Sequence, residues 1–270
     1  MIRNGLESDA LRGGLMYSEL ARLPSAVVLL IVLLSGCLGS PPAAPLPEPM
    51  PMVLDSTFSC DSLVKRLVLP PDAATLVHQS LKRHDGEVVR WPREHMPLSV
   101  WIQSPPPVLT RTGQKRPAHE LTDWTWAISS ALDHWSAIVP GVAFAMTSDS
   151  AAAEVHVTWV LTLESLPGSG MSRSAGRSAV LRDRSTSAIT AAHVMLAQLD
   201  DDGRRLSFED VHVIAGHEIG HVLGLGHQLD ALSVMAPSVR VDGATLADRS
   251  AARSWYSLPL GLACRSDELQ

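Results

Sequence analysis

Apolar and polar positions fall into two periods along this chain, and the period changes mark its elements. In "MPLSVWIQ" the residues Leu98, Val100 and Ile102 alternate with Ser99, Trp101 and Gln103, the two-residue repeat of a half-buried strand. The next segment, "TDWTWAISSALDHWSAIVPG", repeats every three or four residues: Trp124, Ile128, Ala131, Leu132, Trp135 and Val139 make one apolar stripe, and an amphipathic helix is predicted. Thr122 or Asp123 can cap its start, and Pro140-Gly141 stops it. "VAFAM", "AEVHVTWV", "RSAVLRD" and "SAITAAHVMLA" are rich in β-branched and apolar residues and read as strands. A Gly/Ser-rich loop, Pro167 to Gly176, separates the second from the third.

A second helix is punctuated at both ends. Within "LSFEDVHVIAGHEIGHVLG", Ser207 is the N-cap and Asp210 its capping-box partner, while Leu206 and Val211 occupy the positions of a hydrophobic staple. Gly224 supplies the left-handed residue that ends a helix, so the predicted span is Phe208 to Leu223. The order is strand, helix, several strands, helix. It implies an α/β domain with a mostly parallel sheet.

The N-terminus reads differently. "AVVLLIVLLSGC", Ala26 to Cys37, is too short for a bilayer span, which takes about 20 apolar residues, and suits a signal-peptide core. Its "LSGC" end resembles the lipobox of bacterial lipoproteins, which implies cleavage before Cys37 and a lipid on that cysteine. Leu38 after the lipid site resembles lipoproteins sent to an outer membrane. Glu7, Asp9 and Glu19 make the preceding region unusual, and Met16 is an alternative start. "SPPAAPLPEPMP", Ser40 to Pro51, is an extended spacer. One short helix is expected around Ala73–Lys82. The expected divisions are therefore 1–36 signal peptide, 37–87 lipidated linker and short N-terminal segment, 88–262 folded domain, and 263–270 tail.

Composition adds exclusions. With 270 residues, 46% hydrophobic and net charge −6, the chain supports one sizeable core and has no basic patch for nucleic acid. Three cysteines without C-x-x-C spacing exclude a cysteine-built zinc knuckle.

The chemistry concentrates in "HEIGHVLGLGH". His217 and His221, four apart on a helix, project from one face and can converge on one ion. Gly224 turns the chain so that His227 offers a third nitrogen, and a fourth position stays open, as in catalytic zinc sites. Glu218 flanks the ligands, where it can act as general base toward a zinc-activated water. With 11 His and 18 Gly available, chance would place H-E-x-x-H-x-x-G-x-x-H in roughly 5 of 100,000 such chains.

Met235, eight residues after His227 and followed by Pro237, completes a resemblance to the metzincin metalloproteases, and among these to the matrixins. "RWPREHMPLSVWI" resembles their opening strand and "LADRSAARSWYSLP" their closing helix, so the resemblance spans about residues 88–262. It implies a zincin fold of α+β type: a twisted, mixed, mostly parallel sheet, an active-site helix, a Met-turn and a C-terminal helix. It also implies one catalytic Zn²⁺, a protein or peptide substrate lying along the edge strand "RSAVLRD", and a specificity pocket walled by Pro237 and Val239. Matrixins usually carry Ser at the place of Gln228 and Tyr at that of Val239. Asp200–Asp202 could contribute to a calcium site, although a solvated turn is the plainer reading. His193 stands near a position of the second, structural zinc of animal matrixins, but no second zinc is expected.

Matrixin proenzymes can be held latent by a propeptide cysteine on the zinc. Cys60 lacks the flanking residues of that switch, and a disulfide to Cys264 is expected instead. The functional expectation is a monomeric zinc endopeptidase, extracytoplasmic and lipid-anchored to a bacterial membrane, the outer one in a Gram-negative cell. The alternative is a catalytically inactive zinc-binding scaffold, and the presence of Glu218 favours the enzyme.

Overall fold

The computed structural model describes residues 58–105, 118–163, 175–200, 202–238, 241 and 243–265. These described residues belong to one unit of the chain. The segment expected to be a signal peptide, Cys37, the Pro-rich stretch Ser40 to Pro51 and Val239 lie outside the described residues.

Five strands form one sheet in the order β2-β1-β3-β5-β4: β1 Leu98–Ile102, β2 Phe144–Met146, β3 Val155–Val160, β4 Gly176–Arg182 and β5 Ile189–Ala197. All pairings are parallel except β4 with β5, which is antiparallel. The sheet is therefore mixed and mostly parallel, and β4 is its edge. On β3 the alternation of the sequence becomes alternation of burial, with Val155, Val157 and Trp159 inward.

Two long helices, α3 (Ala118–Ile138) and α4 (Phe208–Val222), pack together, and α4 lies against β4 and β5. The stripe along α3 is its buried face: Trp124, Ile128, Ala131, Leu132 and Trp135 are at most 3% exposed. The helix nevertheless begins at Ala118, so Thr122 and Asp123 fall within its first turns and not at its N-cap. The stripe that places the helix starts only at Trp124, so periodicity could not show the preceding turn.

The chain ahead of residue 88 is not merely a tether. Helix α1 (Cys60–Arg66) and helix α2 (Pro71–Arg83) contribute Leu63, Val64, Ala73, Leu76, Val77 and Leu81 to the same core as the sheet and helices. Helix α2 packs on the closing helix α5 (Leu246–Ser257). Cys60 and Cys264 are joined by a disulfide across 204 residues. Backbone bonds Cys60 N–H to Arg265 O, Arg265 N–H to Phe58 O and Cys264 N–H to Gly86 O run beside it.

Candidate metal centre and active site

Helix α4 is held in place by its own sequence and by three buried tryptophans. Ser207 Oγ accepts from Asp210 N–H while the Asp210 carboxylate accepts from Ser207 N–H, the full capping box. Such a cap contributes about 1 kcal/mol. Gly224, at φ +95°, ends the helix where a Cβ would stand 2.2 Å from Val89 O. Trp135 Nε1 donates to Gly216 O at 2.8 Å and Trp91 Nε1 to Val222 O at 2.9 Å, so the helix is tied at both ends of its histidine turn. Trp255 Nε1 donates to Val89 O at 3.2 Å and secures the segment beneath Gly224.

His217, His221 and His227 meet: one nitrogen from each lies within 4.8 Å of the others. His217 Nδ1 donates to Val234 O and His221 Nδ1 to Leu225 O, each at 2.8 Å. Those bonds place the proton on Nδ1 and leave Nε2 as a bare acceptor. The Nε2 atoms of His221 and His227 stand 3.1 Å apart. Burial holds His217 down to about 4 and His221 well below its ordinary value, and His227 is also lowered by burial and by Arg83. Three imidazoles whose protonation is disfavoured thus converge, two of them with Nε2 lone pairs free, an arrangement suited to a divalent cation. His217 and His221 are buried and His227 is exposed, so the centre opens to solvent on the His227 side.

Glu218 is 5% exposed beside this centre. Burial pushes its carboxyl up to about 7, against the opposing pull of Ser178 on β4 and of Arg83 and Arg177. Ser178 Oγ is buried and faces that carboxylate without completing a well-formed hydrogen bond. Strand β4 passes so close that a Cβ on Gly176 would lie 2.7 Å from Glu218 Oε1. The edge strand and Glu218 are therefore neighbours.

Met235 is fully buried and packs on Gly220, between the two helix histidines, where a Cβ would stand 2.3 Å from its Sδ. Its carbonyl accepts from Gln228 N–H at 2.8 Å, joining the methionine turn to the loop of His227. Ser233 Oγ and Val234 N–H donate to the Asp248 carboxylate, which is also the capping-box partner of Thr245 at the start of α5. Asp248 escapes pattern reading because these second partners lie 14 and 15 residues upstream. Pro237 follows the turn and is exposed.

The loop of His227 also rests on α2. Gly226 N–H donates to Ser80 Oγ at 2.8 Å, and His84 Nε2 donates to Gly224 O at 3.0 Å. Gln228, 2% exposed, donates from Nε2 to Asp72 O and accepts from Leu229 N–H. A glutamine where matrixins usually have serine thus has a structural use: the longer side chain spans the gap to an N-terminal helix. Elsewhere, Asp200 is occupied by Arg204 and by the backbone of its own turn. His193 bonds to Thr158 Oγ1 on the exposed sheet face. Cys60, being disulfide-bonded, offers no thiolate to the centre.

A histidine pair on one helix, a third histidine from the loop beyond it and a methionine packed beneath define a metallopeptidase type of site. The chain belongs to the matrixin family, whose model it matches over residues 109–256, more than half its length. No curated protein matches it.

Proposed function

We propose that the protein is a zinc-dependent endopeptidase acting on extracytoplasmic proteins or peptides, with His217, His221 and His227 as the metal ligands and Glu218 as the general base. The single observation that carries this reading is the convergence of three neutral imidazoles beside a buried carboxylate with a raised pKa. A zinc ion held there would polarise the scissile carbonyl and acidify water. Glu218 then takes the proton from the attacking water on its carboxylate and delivers it to the leaving amine. A bound dication would pull the Glu218 carboxyl down, so that it stands ionised to take that proton. The exposed edge of β4, next to Glu218, supports binding of an extended substrate by main-chain hydrogen bonds. The lipobox-like "LSGC" supports attachment to a membrane through Cys37, with the catalytic unit outside the cytoplasm.

Glu218→Gln keeps the shape of the site and removes the base. Cleavage of casein and of a quenched peptide library is expected to fall by at least about 100-fold in this variant while zinc content stays at the wild-type level. A chelator should abolish wild-type cleavage and added zinc restore it. Wild-type rates in the variant would remove Glu218 from the mechanism. Absence of cleavage by zinc-loaded wild type would leave a zinc-binding scaffold.

A further inference from the structure

Helix α2 brings one more charged group to the metal centre. Its residues Asp72, Gln79 and Ser80 all touch the loop Gly224–Gln228: Asp72 O accepts from Gln228, Ser80 Oγ accepts from Gly226 N–H, and Gln79 O would stand 2.6 Å from a Cβ on Gly226. Arg83 lies four residues beyond Gln79 and three beyond Ser80, so helical geometry puts it on the same face. His84, the next residue, is pinned to Gly224 O. The last turn of α2 is thereby fixed beside the loop that delivers His227.

By solvent accessibility Arg83 is exposed, and its side chain makes no hydrogen bond or ion pair with another described residue, although burial of its guanidinium lowers its pKa against the opposing pull of Glu218. Among them it is also the one charge that acts on Glu218 and on all three histidines. Arg177, on β4, acts on Glu218 as well. In a chain of net charge −6, Arg83 and Arg177 thus both bring positive charge to bear on Glu218.

We propose that Arg83 is a specificity-determining residue that pairs with a carboxylate of the substrate close to the scissile bond, so that the enzyme selects acidic peptides. The inference rests on the endopeptidase reading. A guanidinium held by a rigid helix, with two donor edges to spare, matches a carboxylate in shape and charge. The same chemistry is offered by an Asp or Glu side chain or by a free C-terminus.

The test uses zinc-loaded full-length protein and peptide sets that differ only in Glu against Gln at each position flanking the cleaved bond, or in a free against an amidated C-terminus. Wild type is expected to prefer one carboxylate member by about tenfold in kcat/KM, carried by KM, as one charge-assisted bond implies. In Arg83→Gln that ratio should fall to about one, and Arg83→Lys should restore part of it. The position at which preference appears tells side chain from C-terminus. No preference in wild type, or one that survives in Arg83→Gln, overturns the proposal. Calorimetric binding of the same pairs to zinc-loaded Glu218→Gln and its Arg83→Gln double variant reads selectivity without turnover. If no peptide is cleaved, the endopeptidase reading fails, and Arg83-dependent binding of the carboxylate member still decides the role of Arg83.

Discussion

Single residues carry two kinds of information here. The candidate ligands His217, His221 and His227, with Glu218 beside them, are legible in the sequence because their spacing puts the first two on one helix face and the third beyond one turn. His84 is not, since its meaning depends on Gly224, 140 residues away. Its imidazole is buried against Trp255, and burial lowers it to about 4. The unfolded chain takes up this proton near 6.5 and the folded one only near 4, so the contribution to folding stability is complete above 6.5 and is lost as pH falls toward 4. The full loss is about 3 kcal/mol. His84→Gln, which keeps a donor for Gly224 O, should flatten urea-derived stability between pH 6.5 and 4 by close to one proton relative to wild type. Equal slopes in the two proteins would show that His84 does not titrate in this way.

At the scale of elements, the strands and α4 follow from local pattern. Alternation at Leu98–Ile102 and the Ser207–Gly224 punctuation each need only neighbours in sequence to be read. Helix α2 is legible as a helix, but its docking is not. Its apolar residues Leu76, Val77 and Leu81 pack in a core shared with α5, and its Ser80 serves a loop glycine 146 residues later. A similar distance hides the purpose of Gln228. The Cys60–Cys264 bridge closes this arrangement by joining α1 to the segment after α5. By the chain-entropy argument a loop of 204 residues is worth up to roughly 5 kcal/mol. The double variant Cys60→Ser, Cys264→Ser should therefore melt well below the wild type, and reductant should lower wild-type Tm toward it. Unchanged Tm in both experiments would mean that the backbone bonds at Phe58, Gly86 and Arg265 suffice.

The whole molecule places its chemistry where three parts meet: the edge of the sheet, the capped helix α4, and a loop clamped between the methionine turn and α2. The sheet and α4 match what the matrixin resemblance implied. Helices α1 and α2 lie ahead of the matched residues 109–256 and were no part of that resemblance. They share the core of the folded unit, and removing them, with the turn that follows, would strip Ser80, His84 and Asp72 from the loop that presents His227. Each role proposed for these residues depends on that loop and helix α4 forming one metal centre. The deciding experiment is zinc stoichiometry after dialysis, by elemental analysis, for wild type and for His217→Ala, His221→Ala and His227→Ala. One zinc per wild-type chain, lost or sharply weakened in each variant with the fold intact by circular dichroism, is the expected result. A wild type that binds no zinc, or variants that keep it fully, would contradict the proposed centre.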